Sequence, residues 1–466
     1  MMALVHPSAR LVDAGSGAVL SGDALTAAIA MRVEALAQLQ SGVVFARFPN
    51  DVESVLRYLA GWQALRPMAL IDPGLPAATL ADLVERFEPA LVTGVIGSPP
   101  PGYRVVDDAL LGPLWERIAR PAHEPHPALG VLLATSGSTG NPKFVRLSRE
   151  AITANATAIA EALHIAPEEL APTNLSLFYS YGMSVLNSHL TAGAGVLVQS
   201  HSLLERPFWE DLARYEATSL AAVPYQYEML RRLRFDPAKY PRLRTLTQAG
   251  GRLRTELVTD FHARMQTVDG RMFVMYGQTE AGPRMTTLPS ARLPEKLGSV
   301  GPAIPGGRLS VKLEDGSETS QPGITGEVIY RGPNVMMGYA ERAADLSLGD
   351  EQGGALVTGD LGWLDEDGYL FISGRLKRFG KVFGVRLNLD DVEKLLRDRG
   401  PVAAVSGDDK IVIWAEDAED DVRREMASEL AEKLNLHWSG FDVRNIDSLP
   451  LLASGKVDYR ALEKAI

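Results

Sequence analysis

From Val43 the chain alternates short apolar runs with amphipathic segments: VVFARF, then Asp51 to Leu65, then MALID, then Ala77 to Phe87, then ALVTG. Short apolar runs bounded by turn residues suit buried strands, and Val52, Val55, Leu56 and Leu59 recur at helical spacing. Strands alternating with helices in this way predict a mostly parallel, doubly wound sheet. Asn50 and Asp51 supply a helix start, and Pro73 and Pro76 punctuate the later turns. The same texture resumes from about Leu147 to Phe273, with a helix over Glu150 to Leu163, strands near Leu175 to Leu177 and Gly195 to Val198, and the run LAAVPY at Leu220 to Tyr225.

Between Leu297 and Ile372 the pattern changes. The runs RLSVKL, GEVIYRG and YLFIS alternate with Gly, Pro and Asp turns at short spacing, which predicts a twisted antiparallel or barrel-like β region. Beyond it come a helix at Leu389 to Asp398, a strand at Ile411 to Trp414, a helix over Asp417 to Leu434 and a strand FDVRNI, the makings of a small α+β domain. The expected organisation is α/β throughout: a large N-terminal domain, residues 1–375, of doubly wound subdomains plus the β region, and a small C-terminal domain, residues 376–466.

A chain of 466 residues exceeds the usual ~100–200 per domain and agrees with that division. Its 47 Lys+Arg against 58 Asp+Glu give a net charge of −11, which lacks the basic footprint of nucleic-acid binding. Zero cysteines exclude structural disulfides, thiolate metal sites and a cysteine nucleophile, so any thioester chemistry needs an outside thiol. No long uninterrupted apolar stretch and no basic segment leading into an apolar run are found, and a soluble cytoplasmic protein is expected.

The strongest local signal is LLATSGSTGNPKFVRLS, an apolar strand running into Thr135 to Lys143, nine residues that hold two Gly, four hydroxyls and a terminal Lys. Main-chain amides, small hydroxyls and one mobile cation in a single loop make an anion cradle. The order differs from the common P-loop, G-x-x-x-x-G-K-[ST], and Pro142 disfavours a helix starting at Lys143. GRLKRFGK at Gly374 to Lys381 also fails that spacing, and His123 with His126 lacks a second ligand cluster, so no transition metal is implied.

With these pieces assembled, the chain resembles the adenylate-forming enzymes, the family of acyl-CoA synthetases, luciferases and the adenylation domains of peptide synthetases. The resemblance runs from about Val43 onward and is carried in family order by TSGSTGNPK, YGQTE (Tyr276 to Glu280), GEVIYRGPNVMMGY (Gly326 to Tyr339), TGDLGWLDEDGYL (Thr358 to Leu370), GRLKR…GKVFGVRLNLDDVE (Gly374 to Glu393) and LPLLASGKVDYRAL (Leu449 to Leu462). It implies that Thr135, Ser136, Gly137, Ser138, Thr139, Gly140 and Lys143 hold the β- and γ-phosphates of ATP. It also implies that Tyr276, with Gly277 and Gln278, lies by the adenine, Thr279 on the α-phosphate and Glu280 on Mg2+, a hard carboxylate for a hard cation. Gly250 and Gly251 fit an adenine-side backbone contact, and Asp360 and Arg375 fit ribose contacts. Lys456 matches the adenylation lysine, whose ammonium would bridge carboxylate and phosphate as charge develops. In the family the small domain rotates between two half-reactions, which would make Lys377 the hinge, with Lys381 and Gly384 beside a channel for a pantetheine thiol.

The expected activity is ATP-dependent conversion of an aliphatic, fatty or aryl carboxylic acid to acyl-AMP and pyrophosphate, then transfer to a pantetheine thiol. Coenzyme A is favoured as acceptor over the phosphopantetheine of an acyl carrier protein. A substrate pocket is expected from Tyr179, Met183, Asn187, Tyr225 and Gln226. No acidic residue lies between Asn174 and Gln199 to pair with an ammonium, which disfavours an amino acid. A non-catalytic nucleotide-binding descendant and an amino-acid-activating or luciferase-like member are the alternatives.

Overall fold

The computed structural model describes residues 4–135, 143–376, 378–383, 385–434, 436–452 and 455–466. The chain divides into two compact units, Met1–Leu309 with Tyr330–Leu356, and Ser310–Ile329 with Val357–Ile466.

The first unit is built on three sheets. The largest has four parallel central strands, Leu129–Thr135, Met68–Ile71, Val44–Arg47 and Leu91–Thr93, flanked by antiparallel neighbours. Both faces of this centre are covered, which is why its strands read as continuous apolar runs: Phe45, Ala69 and Leu132 are fully buried. The second sheet sets Ser219–Ala222, Thr245–Gln248 and Arg271–Gly277 parallel, with Arg284–Leu288 antiparallel at its edge. The third joins Leu170–Pro172, Gly195–Val198 and Arg10–Asp13 in parallel, with Val19–Ser21 closing it antiparallel. Helix Val52–Gln63 begins at Asp51, whose carboxylate accepts from the Ser54 N–H at 2.7 Å, and Ser148 caps helix Arg149–Leu163 through the Ala151 N–H at 2.9 Å.

Two local expectations are corrected. Residues 175–177 form no strand; the strand lies earlier, at Leu170–Pro172, and the following backbone is satisfied by one side chain. Asn50 donates to the carbonyls of Thr173 and Leu175 at 2.7 and 3.1 Å and accepts from the Leu177 N–H at 3.0 Å, which replaces a strand ladder. Asn50 therefore anchors this connection, and Asp51 alone caps the helix. LAAVPY also splits: its strand stops at Ala222, and Pro224 opens helix Pro224–Arg232, where its missing N–H costs nothing.

A five-stranded sheet, most of whose residues belong to the second unit, runs Glu318–Thr319, Arg308–Lys312, Gly326–Arg331, Ala355–Leu364 and Leu370–Arg375. The C-terminal α+β portion holds the hairpin Phe379–Val382 with Val385–Asn388, and a three-stranded sheet of Val402–Ser406, Ile411–Glu416 and Phe441–Ile446. Its core packs fully buried Ile411, Ile413, Leu396 and Leu430 between that sheet and helices Leu389–Leu395 and Asp420–Leu434. The sequence places a boundary at Arg375, whereas the compact unit also takes in residues 357–375. Hydrogen bonds across that point bind them: the Arg375 N–H donates to Asp390 Oδ2 at 3.0 Å, and the Lys394 ammonium donates to the Ser373 carbonyl. Among the described residues no helix is long and apolar enough to cross a membrane.

Candidate active site

The three parallel strands of the second sheet end in register, with Ala222 beside Gln248 and Gln248 beside Val274. Their carboxyl ends deliver Val223 to Tyr225, Ala249 to Gly251, and Tyr276 to Glu280 to one rim, the position where open α/β sheets bind ligands. Gly250 has φ +87°, and a Cβ there would stand 3.0 Å from Val223 Cγ1 and 3.1 Å from the Tyr179 hydroxyl, so backbone and phenol approach closely only because the residue is glycine. The Gln248 amide donates to the Gly251 carbonyl at 2.7 Å and fixes this turn. Gly277 answers to a similar demand, because a Cβ would collide with the Pro283 carbonyl. Tyr276 is half-buried against Ala281, Met285 and Tyr330.

Thr279 and Glu280 lie in a single 3-10 turn, Thr279–Ala281, and both are half-buried. The Thr279 hydroxyl is 3.2 Å from that of Ser180, the first residue of helix Ser180–Thr191. The segment after Tyr330 locks the turn. The Met336 N–H donates to the Glu280 carbonyl at 2.9 Å, and Asn334 donates to the carbonyls of Ala281 and Arg284 at 2.6 and 2.8 Å.

Strand Gly338–Ala340 pairs antiparallel with Lys143–Ser148, which brings in a residue to which the sequence assigned no role. Tyr339 donates its hydroxyl to Glu280 Oε1 at 2.8 Å, while the Lys143 ammonium sits over the face of the same ring, 3.4 Å from its centroid. Burial, followed by the neighbouring Glu280 charge, pushes the phenol well above its ordinary value, so it remains a donor. One aromatic side chain thus joins the expected phosphate-side cation to the expected magnesium carboxylate. Among the described residues no group of three or more acidic or histidine side chains could cage a metal, and a single carboxylate suits Mg2+ that arrives with phosphates and keeps its waters. Ser136, Gly137, Ser138, Thr139 and Gly140 lie outside the described residues, as do Lys377 and Gly384; Thr135 ends the strand that pairs with Lys143.

Within the second unit, Asp360 and Arg375 are register partners on adjacent strands, with Nε 3.3 Å from Oδ1. Asp360 is 5% exposed, and the Asp360 N–H donates to the Thr358 hydroxyl at 3.1 Å. Lys456 occupies a tight turn in which the Leu452 N–H donates to the Lys456 carbonyl at 2.8 Å and Gly455 takes φ +75°. Asp458 closes the turn through its N–H to the Pro450 carbonyl at 2.7 Å and then caps helix Tyr459–Lys464. Lys381 is exposed on the hairpin. The neighbouring Arg378 is instead pinned, with Nη2 2.7 Å from Glu393 Oε1 and its guanidinium 3.9 Å above the Tyr459 ring.

The expected acid pocket is only partly assembled. Tyr179 stands by Gly250, but Met183 is fully buried in the main core and Asn187 is 2% exposed, both on the far side of their helix. Tyr225 is 43% exposed, and Gln226 spends its side-chain oxygen on the Val223 N–H at 3.1 Å. The opposite helix face lines a small cavity of about 20 Å3 through Tyr181, Ser184, Val185 and Ser188, residues spaced to share one face. Across from it are Thr245, Thr247 and Met275 of the sheet, Glu169, His189 and Arg284. The Tyr181 hydroxyl, pushed up to about 12 by burial, is 2.8 Å from that of Thr247. His189 is held at about 4 by burial and is therefore neutral; Nδ1 donates to the Val185 carbonyl at 2.9 Å. Arg284 is missing from the sequence expectation altogether, although an arginine directly after the conspicuous YGQTEAGP run was a visible signal.

Residues 23–340 match the family described as AMP-binding enzyme. The chain is similar to the indoleacetate–CoA ligase of Aromatoleum aromaticum, 31% identical over 332 residues, 69% of this chain and 63% of that protein. It is also similar to the oxalate–CoA ligase of Arabidopsis thaliana, 31% identical over 278 residues, 58% of this chain and 53% of that protein. The matches therefore span between about half and two thirds of these relatives. The O-succinylbenzoate coenzyme A synthetase of Bacillus subtilis in complex with ATP and magnesium shares the fold, with a TM-score of 0.75, 21% identity, and coverage of 97% of this chain and 96% of that one.

Proposed function

Since this chain belongs to the AMP-binding enzymes, we propose that it is an ATP-dependent acid–thiol ligase. A carboxylate oxygen attacks the α-phosphorus of ATP, the bond to the β-phosphate oxygen breaks, and pyrophosphate leaves. A pantetheine sulfur then attacks the acyl carbon, AMP departs with the bonding pair, and the thiol proton passes to solvent. The observation that carries this reading is the chain Lys143, Tyr339, Glu280, with Thr279 beside it, at the carboxyl rim of a parallel sheet.

Each residue has a physical task. The Lys143 ammonium and the loop before it take the terminal phosphates, and the Thr279 hydroxyl donates to the α-phosphate. Glu280, oriented by the Tyr339 hydroxyl, would hold magnesium, and the ion would offset charge on the phosphates. Asp360, already partnered by Arg375, accepts from the ribose hydroxyls with its remaining lone pairs. Lys456, whose carbonyl closes a turn on the portion from residue 376 onward, stabilises charge as carboxylate and phosphate meet. Coenzyme A is the proposed acceptor, supported by the relatives named as CoA ligases, and the cytoplasm the proposed location. ATP–pyrophosphate exchange over a panel of aliphatic, aryl and amino acids tests the reading; exchange with a subset of non-amino acids is expected, and ATP binding without exchange for any acid would remove it.

A further inference from the structure

The cavity beside helix Ser180–Thr191 contains a charge without a counter-charge. Arg284 is 2% exposed, and its Nε is buried without a partner. Among the described residues its guanidinium makes no ion pair and no hydrogen bond, and the centroid of the Tyr181 ring is 5.0 Å from Cζ. A guanidinium cannot shed its proton, and a buried unpaired charge is among the costliest features a fold can keep. The main chain that carries the arginine is held on both sides. Its N–H donates to Asn155 Oδ1 at 3.2 Å, and its carbonyl accepts from Asn155 and Asn334 at 2.9 and 2.8 Å.

The other ionisable groups of the cavity do not supply the missing charge. Glu169 is already committed to Arg271 at 3.2 Å, and His189 is neutral. Tyr181 keeps its proton because burial raises its value, and its hydroxyl is 2.8 Å from that of Thr247. None of the ionisable groups lining the cavity therefore supplies the counter-charge. Ser180, at the start of the helix, touches Thr279, while Tyr181, Ser184, Val185 and Ser188 extend the cavity along the next two turns, roughly 10 Å. An acid whose reacting carboxylate lies by Thr279 would project its far end into this space.

Resting on the acid-activation reading above, we infer that Arg284 selects acids carrying a second anionic oxygen group, a carboxylate or a sulfonate, at the end remote from the reacting carboxylate. The test is ATP–pyrophosphate exchange with straight-chain acids matched in length and ended by carboxylate, sulfonate, amide or methyl. An anionic end is expected to raise kcat/KM by about tenfold or more over the methyl end, as a charge-assisted hydrogen bond in a buried site does. The carboxylate and sulfonate arms identify which oxyanion is preferred. Arg284→Leu should reverse the order, losing the anionic acids and gaining the methyl-ended ones, and Arg284→Lys should keep part of the anionic preference. ATP binding by each variant establishes that it is folded, and if Arg284→Leu does not fold, the wild-type panel with Arg284→Lys still decides. Exchange with methyl- or amide-ended acids in preference to anionic ones, or an anionic preference that survives Arg284→Leu, overturns the assignment while acid activation stands. Absence of exchange with every acid, with ATP binding intact, overturns acid activation and this inference with it.

Discussion

Replacing Tyr339 by Phe removes one oxygen and leaves the ring on which Lys143 rests, so it separates the two contacts that this side chain makes. The lost bond is a phenol donating to a carboxylate at 2.8 Å, and hydrogen bonds to charged groups contribute about 1.5–3 kcal/mol. Glu280 is half-exposed and water can replace the donor, which brings the loss to or below the bottom of that range, about 1–1.5 kcal/mol, or roughly five- to tenfold in rate. The loss should concentrate in the magnesium dependence, because Tyr339 acts by orienting Glu280 and not by touching the reacting atoms. ATP–pyrophosphate exchange measured across a magnesium titration should therefore show a raised half-saturating concentration, with most of the rate restored at high magnesium. Tyr339→Leu removes the ring as well. It should add a further ~0.5–2 kcal/mol from the lost cation–π contact, expressed as a higher KM for ATP that magnesium does not repair. A Phe variant with a wild-type magnesium profile, or Phe and Leu variants that behave alike, would refute the idea that Tyr339 couples the two groups.

Lys456→Ala should lower adenylation by about two to three decades, the usual cost of one electrostatic stabiliser, while thioester formation from a pre-made acyl adenylate proceeds near the wild-type rate. Equal damage to both half-reactions, measured by exchange and by thioester release, would show that Lys456 does not serve adenylation selectively. Acid should destabilise the protein through His189. Its folded value of about 4 lies below its ordinary value of 6.5, so between those values the unfolded chain binds a proton that the folded one refuses, and stability falls as pH drops through that window. The effect is bounded at ~3 kcal/mol, and urea midpoints for the wild type and His189→Gln should converge as the pH falls from 6.5 to 4 if the reasoning holds.

The parts of the site legible in the sequence are those in which neighbouring residues act together. Tyr276 to Glu280 form a strand end and one turn, so their order along the chain is also their order in space. The Asp360–Arg375 pair follows from two adjacent antiparallel strands separated by a short turn. Tyr339 could not be assigned in that way. Its meeting with Lys143 depends on strand Gly338–Ala340 returning to a sheet begun far earlier in the chain, and nothing local in GEVIYRGPNVMMGY reveals that pairing.

The acid pocket was hard to read for a different reason, the concealment of helical phase. An amphipathic helix announces its inward face by alternating with solvent-facing polar residues, but helix Ser180–Thr191 is buried nearly all round. Met183 and Asn187 point to the main core, while Tyr181, Ser184 and Ser188 point to the cavity, and small hydroxyl residues occur on a face that composition alone would not mark as a ligand face. Arg284 resolves the phase that the helix itself conceals. A permanent cation in an otherwise buried strand, clamped by two asparagines and facing the Tyr181 side of the helix, is a conflict between residue and surroundings that packing does not relieve. A chain that keeps such a conflict at the far end of its proposed acid site has a use for the charge, and the anionic group of a substrate is the partner that would relieve it.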